Sequence, residues 1–148
     1  MYMWDITKIW RGLYQGAAPP PGHLVRTKGF DVLVLTAKEN QDPSIYQDVI
    51  VITAPGDDDD RPHRFKRFRP AWEAAALEVA RHVKEGRKVL VTCMQGLNRS
   101  GFVTAMALHH ITGWPGATCV EHVQGRRQYA LCNPTFARYI AENVKAKE

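Results

Sequence analysis

The 148-residue chain has no long apolar run. Its longest, Val32 to Leu35 and Val49 to Ile52, fall far short of the roughly 20 residues that a membrane span needs, so no transmembrane helix is expected. Cysteine is scarce. Cys93, Cys119 and Cys132 are odd in number and form no C-x-x-C pair, which excludes a disulfide scaffold and a zinc knuckle and leaves at least one thiol unpaired. The six histidines have no metal-ligand spacing, since adjacent His109 and His110 cannot share one helix face. Neither metal nor cofactor is expected. Repeats and low-complexity segments are absent, and the one Pro/Gly-rich stretch, Gly16 to Gly22, is too short to separate domains, so a single domain over 1–148 is expected. Met1 to Trp10 carries Asp5 and Lys8 where a secretory signal needs an unbroken apolar core, and a cytoplasmic monomer is the expectation.

With 45% hydrophobic residues, a chain of this length can bury roughly 70% of its extended surface and needs no covalent staple. The net charge of +5 and pI near 9.3 favour an anionic partner: a phosphorylated protein, a nucleic acid or a membrane surface. Asp57, Asp58, Asp59 and Asp60 are followed directly by Arg61, Arg64, Lys66, Arg67 and Arg69. Such a run often makes only a solvated loop and helix entrance. Four adjacent carboxylates also repel, which favours a protonated member.

The β-branched apolar runs Asp31 to Ala37, Val49 to Ala54 and Lys88 to Thr92 read as buried strands. Between the last two, Pro70 to Glu85 places Ala71, Ala75, Leu77, Val79, Ala80 and Val83 with helical recurrence and stops before Gly86. Further helices are expected over Ser100 to Thr112, from Pro115 toward Gln128, and over Thr135 to Lys145. The expected class is α/β, with a central mixed, mainly parallel sheet flanked by helices, several of them C-terminal.

Chemistry concentrates in Val89 to Phe102 (VLVTCMQGLNRSGF). A cysteine six residues before an arginine is a weak signal alone: with three Cys and 12 Arg, chance supplies such a pair about one time in four. Context sharpens it. A buried strand delivers Cys93, Gly96 permits a tight turn, and a helix follows Arg99, so the N–H groups of Met94, Gln95, Gly96, Leu97 and Asn98 can converge on a dianion.

This segment resembles the phosphate-binding loop of the cysteine-dependent protein tyrosine phosphatases, and the short chain resembles their dual-specificity branch. The signature H-C-x-x-G-x-x-R-[ST] is matched by Cys93, Gly96, Arg99 and Ser100, while Thr92 stands where the family has histidine. Ile9 to Ala17 looks like the family's opening strand, and Arg126, Arg127, Asn133 and Phe136 are similar to the arginine, asparagine and phenylalanine of its closing pattern. The resemblance implies a phosphomonoester hydrolase with Cys93 as nucleophile, Arg99 as the bidentate fork for phosphoryl oxygens, and Ser100 easing departure of the thiolate from phosphocysteine. Thiols at a helix N-terminus beside a guanidinium are readily ionised, and lysine could not replace the planar fork.

It also implies an Asp general acid from a loop after a strand. Pro55-Gly56-Asp57-Asp58 fits the family's P-x-D-D form and favours Asp58, 35 residues before Cys93; the usual spacing of short relatives favours Asp60, at 33. Substrates would be phosphotyrosine, with phosphoserine and phosphothreonine, in proteins. Rival readings are an RNA 5′-triphosphatase, suggested by G-x-N-R-[ST]-G at Gly96 to Gly101 and by the basic run, a phosphoinositide phosphatase, and a non-catalytic phosphopeptide-binding module. Cys119 and Cys132 have no comparable setting and read as packing residues. Ser100 doubles as a candidate helix N-cap.

Overall fold

The computed structural model describes residues 4–19, 25–26, 28–39 and 41–148. Five strands form one sheet: β1 (Ile6–Trp10), β2 (Leu13–Gly16), β3 (Val32–Ala37), β4 (Ile50–Gly56) and β5 (Val89–Thr92), in the order β1-β2-β5-β3-β4. Of these, β1 runs antiparallel to its neighbour, and β2, β5, β3 and β4 are parallel. The segment read as one opening strand, Ile9 to Ala17, is therefore two, because the chain reverses at Arg11 and Gly12. Of the Gly16 to Gly22 stretch, residues 20–22 lie outside the described residues.

The helices that follow are α1 (Pro62–Lys84), α2 (Arg99–Thr112), α3 (Gly116–Arg126) and α4 (Pro134–Asn143). The first begins eight residues before the expected Pro70, which sits inside it. Pro62 opens the helix, where a missing N–H costs nothing, and the added turns bring Phe65 into the core against Phe102, Phe136 and Trp72. That aromatic cluster outweighs the one hydrogen bond lost at Pro70. The early start also rotates the buried stripe onto Trp72, Ala75, Ala76, Val79 and Ala80, so Ala71 and Leu77, expected in the core, face solvent.

Alternate residues of the strands face opposite ways. Val32, Val34, Val89 and Val91 join Leu13, Ile52 and the four helices in one cluster. Leu33, Leu35 and Leu90 meet Val25, Phe30 and Tyr46 in another. The four long helices pack on the first of these faces, and Val25 and Tyr46, the latter at the end of a short 3-10 turn over Pro43–Ile45, pack on the second. Because the strands are parallel, the C-terminal ends of β2, β3, β4 and β5 lie side by side, and the segments leaving them are Ala17–Ala18, Lys38–Glu39, Asp57–Asp60 and Cys93–Asn98. Ligands of parallel α/β sheets collect at that edge.

Candidate active site

Cys93 leaves β5, a strand buried on both faces, and α2 starts at Arg99, so the six-residue step between them must wrap tightly. Gly96 makes the wrap. Its φ is +73°, and a Cβ there would collide with the Gly16 carbonyl on β2.

Four successive loop carbonyls are tied outward. Met94 O accepts from Ala18 N at 3.0 Å, and Gln95 O from Arg127 Nη2 at 3.0 Å. Gly96 O accepts from Arg127 Nε at 2.6 Å and Gln15 Nε2 at 2.9 Å; Leu97 O accepts from Leu131 N at 3.0 Å and Gln15 Nε2 at 3.3 Å. A trans peptide sets its C=O and following N–H in opposite directions, so each outward carbonyl turns an amide toward the loop centre. The amides of Gln95, Gly96, Leu97 and Asn98 form a nest for an anion. Arg127 is itself buried and anchored to Asp5 at 2.8 Å and to Thr7 at 2.8 Å.

The cleft over this loop, about 300 Å³, is lined by Glu39, Asp58, Cys93, Met94, Gln95, Leu97, Asn98 and Arg99. A larger hollow of about 600 Å³ lies at the opposite end of the sheet beside Trp10, Gly12 and Arg87, with no nucleophile on its wall. Cys93 Sγ sits 3.3 Å from Ser100 Oγ. Arg99 is buried; its Nη1 donates to Gly56 O at 3.0 Å and meets Glu39 Oε1 at 2.7 Å, while its buried Nε has no partner among the described residues. An unpaired guanidinium nitrogen inside a cleft is costly until an acceptor arrives, which an oxyanion above the loop would supply.

Asp58 is held by two side-chain amides, Asn98 Nδ2 on Oδ2 at 2.8 Å and Asn133 Nδ2 on Oδ1 at 2.9 Å. Asn98 belongs to the loop itself, so carboxylate and thiol share one frame. Asn98 Oδ1 accepts from Asn133 N at 2.8 Å, and Asn133 Oδ1 caps α4 through Thr135 N at 3.1 Å. Gly56 lets the acid segment pass: a Cβ there would collide with the Trp72 ring, whose Nε1 donates to Ala54 O at 2.7 Å.

The other three aspartates point elsewhere. Arg64 pairs with Asp57 at 2.8 Å, and Arg61 with Asp59 at 2.6 Å. The quartet is thus not a set of bare, mutually repelling carboxylates. The Arg61 hydrogen bonds hold the Asp59 carboxyl well below the usual carboxylate range, the reverse of what repulsion would do. Asp60 contributes its backbone carbonyl to Thr135 and opens onto a neighbouring recess beside Cys132 and Pro134.

Thr92, one residue before Cys93, is fully buried and spends its hydroxyl on other groups than the sulfur. Its hydroxyl donates to Val34 O at 2.7 Å and accepts from Gln41 Nε2 at 3.0 Å, tying the segment that carries Glu39 to β5. Ser100 is not the N-cap. Asn98 holds that position, and Ser100 lies inside the helix. Cys119 is buried, which pushes its thiol up to about 11, and Cys132 is exposed. Sequence reasoning missed Glu39 and Gln41, which belong to no motif; Gln15 stood only in the opening segment, and Asn133 and Arg127 only in a closing pattern, without a role.

No family model matches the chain, nor does any curated protein. Solved structures do. Human DUSP28 is 23% identical with a TM-score of 0.70, covering 92% of this chain and 90% of that one. The PTP-2 phosphatase of Cydia pomonella is 16% identical with a TM-score of 0.75 over 97% and 98% of the two chains. OH1 from the Orf virus, described as a tyrosine phosphatase with triple substrate specificity, is 19% identical with a TM-score of 0.69 over 95% and 87%. The chain has the fold of dual-specificity and tyrosine phosphatases.

Proposed function

We propose that this protein is a metal-independent phosphomonoester hydrolase acting on phosphotyrosine, and on phosphoserine and phosphothreonine, in proteins. The observation that carries the reading is the arrangement around Cys93: four loop carbonyls tied outward, leaving their amides facing inward, beside an arginine whose buried Nε lacks a partner among the described residues. A sulfur nucleophile at the bottom of an anion nest, with a carboxyl across the cleft, suits one reaction class.

In the first step the Cys93 thiolate attacks phosphorus, the ester P–O bond breaks, and Asp58, entering as the acid, gives its proton to the leaving oxygen. In the second, water attacks the phosphocysteine, Asp58 takes the water proton, and the S–P bond breaks with its electron pair returning to sulfur. Arg99 and the loop amides hold the three non-bridging oxygens throughout, where charge stays concentrated. Asp58 is the acid of choice over Asp60 because it alone of the two lines the Cys93 cleft.

The RNA reading draws less support than the charge run suggested, since Arg61 and Arg64 are spent on Asp57 and Asp59. We further propose a single catalytic unit, monomeric and cytoplasmic, where reducing conditions keep the thiol free. Among the described residues no helix is long and apolar enough to cross a membrane. The test is a side-by-side assay of phosphotyrosine peptide, phosphothreonine peptide, phosphoinositide and triphosphate-ended RNA. Hydrolysis of the peptides ahead of the other two supports the reading, and release of only the RNA γ-phosphate sinks it.

A further inference from the structure

One buried polar side chain touches the loop without entering the reaction scheme. Gln15, on β2, is fully buried, and its Nε2 lies 2.9 Å from Gly96 O, 3.3 Å from Leu97 O and 3.4 Å from Ser100 Oγ. Two carbonyl oxygens demand a donor, so the nitrogen of the amide must face them. Its oxygen then points into the interior, where it has no partner among the described residues. Neither carbonyl depends on Gln15, because Gly96 O also accepts from Arg127 and Leu97 O from Leu131 N. A buried amide that leaves its own oxygen unsatisfied, to serve carbonyls already served, is poorly explained by stability.

Ser100 supplies the explanation. The carbonyls of the loop near Ser100 are not free to take its hydroxyl proton: the two lone pairs of Gly96 O are occupied by Gln15 Nε2 and Arg127 Nε. Leu97 O, three residues earlier, is also taken twice, and the Ser100 oxygen itself accepts from Gln15. With those acceptors filled, Ser100 Oγ, which accepts from a neutral Cys93 thiol at 3.3 Å, turns its own proton to the sulfur once Cys93 is a thiolate and can only accept.

We propose that Gln15 is a positioning residue that commits the Ser100 hydroxyl to the Cys93 sulfur. Its kinetic consequence rests on the phosphocysteine reading above. When the S–P bond breaks, a hydroxyl already aimed at sulfur stabilises the departing thiolate, so Gln15 acts on the second step and little on the first. Without the amide, Ser100 Oγ loses the donor that fixes its orientation, and the leaving thiolate loses a hydroxyl already aimed at it.

Gln15→Met tests this, since methionine keeps the length and apolar body, removes the donor and leaves each carbonyl one partner. Thermal unfolding should stay close to that of the unaltered protein. On p-nitrophenyl phosphate, kcat should fall about tenfold, the effect of one hydrogen bond, with kcat/KM nearly unchanged. Rapid mixing should show a burst of nitrophenol as phosphocysteine accumulates. The Gln15→Met, Ser100→Ala double variant should be no slower than Ser100→Ala alone.

A second readout needs no turnover. Iodoacetamide alkylation of Cys93 at mildly acidic pH, followed by peptide mass, should slow equally in Gln15→Met, Ser100→Ala and the double variant, because all three lose the same hydrogen bond to the thiolate. Losses that multiply in the double variant, or a Gln15→Met protein with unchanged burst and alkylation, would overturn the assignment. Absence of phosphomonoester turnover in the unaltered protein would instead sink the phosphatase reading, and the alkylation series would still decide the role of Gln15.

Discussion

Replacing Arg99 with lysine separates charge from geometry. The guanidinium commits Nη1 to Gly56 O at 3.0 Å and to Glu39 at 2.7 Å, while Nε is buried and unpartnered among the described residues and is the edge that the proposed reaction gives to substrate. A lysine ammonium is one nitrogen. It can stay with Gly56 and Glu39 or reach the phosphoryl oxygens, but cannot bridge the two as the planar fork does. Hydrogen bonds to charged groups contribute about 1.5 to 3 kcal/mol each, so losing the two that the free edge offers costs about 3 to 6 kcal/mol in the transition state. At about 1.4 kcal/mol per tenfold, kcat should fall by about a hundredfold or more on p-nitrophenyl phosphate. KM should rise too, since the ground-state phosphate uses the same edge. Steady-state kinetics with purified variants supply the check, and circular dichroism confirms the fold. A kcat within about threefold of the unaltered enzyme would refute the claim that Arg99 grips the reacting group.

Four other outcomes follow from the same geometry. Asp58→Asn should slow alkyl phosphates by about a hundredfold while sparing p-nitrophenyl phosphate, whose leaving group barely needs a proton, whereas Asp60→Asn should leave both near normal; equal losses at the two positions would contradict the cleft assignment. Gly96→Ala should lower vanadate affinity and kcat together, because the Cβ collides with Gly16 and reshapes the nest; unaltered binding by fluorescence titration would show that the loop tolerates it. In the native protein, iodoacetamide should label exposed Cys132 while Cys119, buried and pushed up to about 11, stays unmodified until urea is added, as peptide mass spectrometry can show. His110 is pushed down to about 4, chiefly by burial and then by Lys147, His109 and Lys84, so the fold is stabilised above its ordinary value of 6.5 and loses that margin as pH falls toward 4. His110 is only partly buried, so solvent screening leaves a margin on the order of 1 kcal/mol, and His110→Gln should flatten urea-denaturation midpoints across that window.

Periodicity exposed the buried strands because β3 and β5 are apolar at nearly every position, and the cysteine, glycine and arginine of the loop are close in sequence and so readable together. The start of α1 was not readable. Pro70 carries a local stop signal, and what overrides it is the contact of Phe65 with Phe102 and Phe136, residues far along the chain. Among the four aspartates local pattern favours Asp58 and spacing favours Asp60; what holds Asp58 beside the cleft is Asn133, 75 residues away, while the arginines just after the quartet pair with two of the others. Gln15 and Arg127 stand 81 and 31 residues from the carbonyl they share. Their roles exist only once parallel pairing sets β2 against β5.

In the proposed reaction phosphate passes through a covalent bond to Cys93. Rapid acid quench of the protein with labelled phosphotyrosine peptide, followed by peptide mass spectrometry, traps that bond. One phosphoryl group is expected on the peptide that contains Cys93, absent in Cys93→Ser, which should also lose turnover while still binding vanadate. Label on another residue, or appreciable turnover by Cys93→Ser, would contradict it.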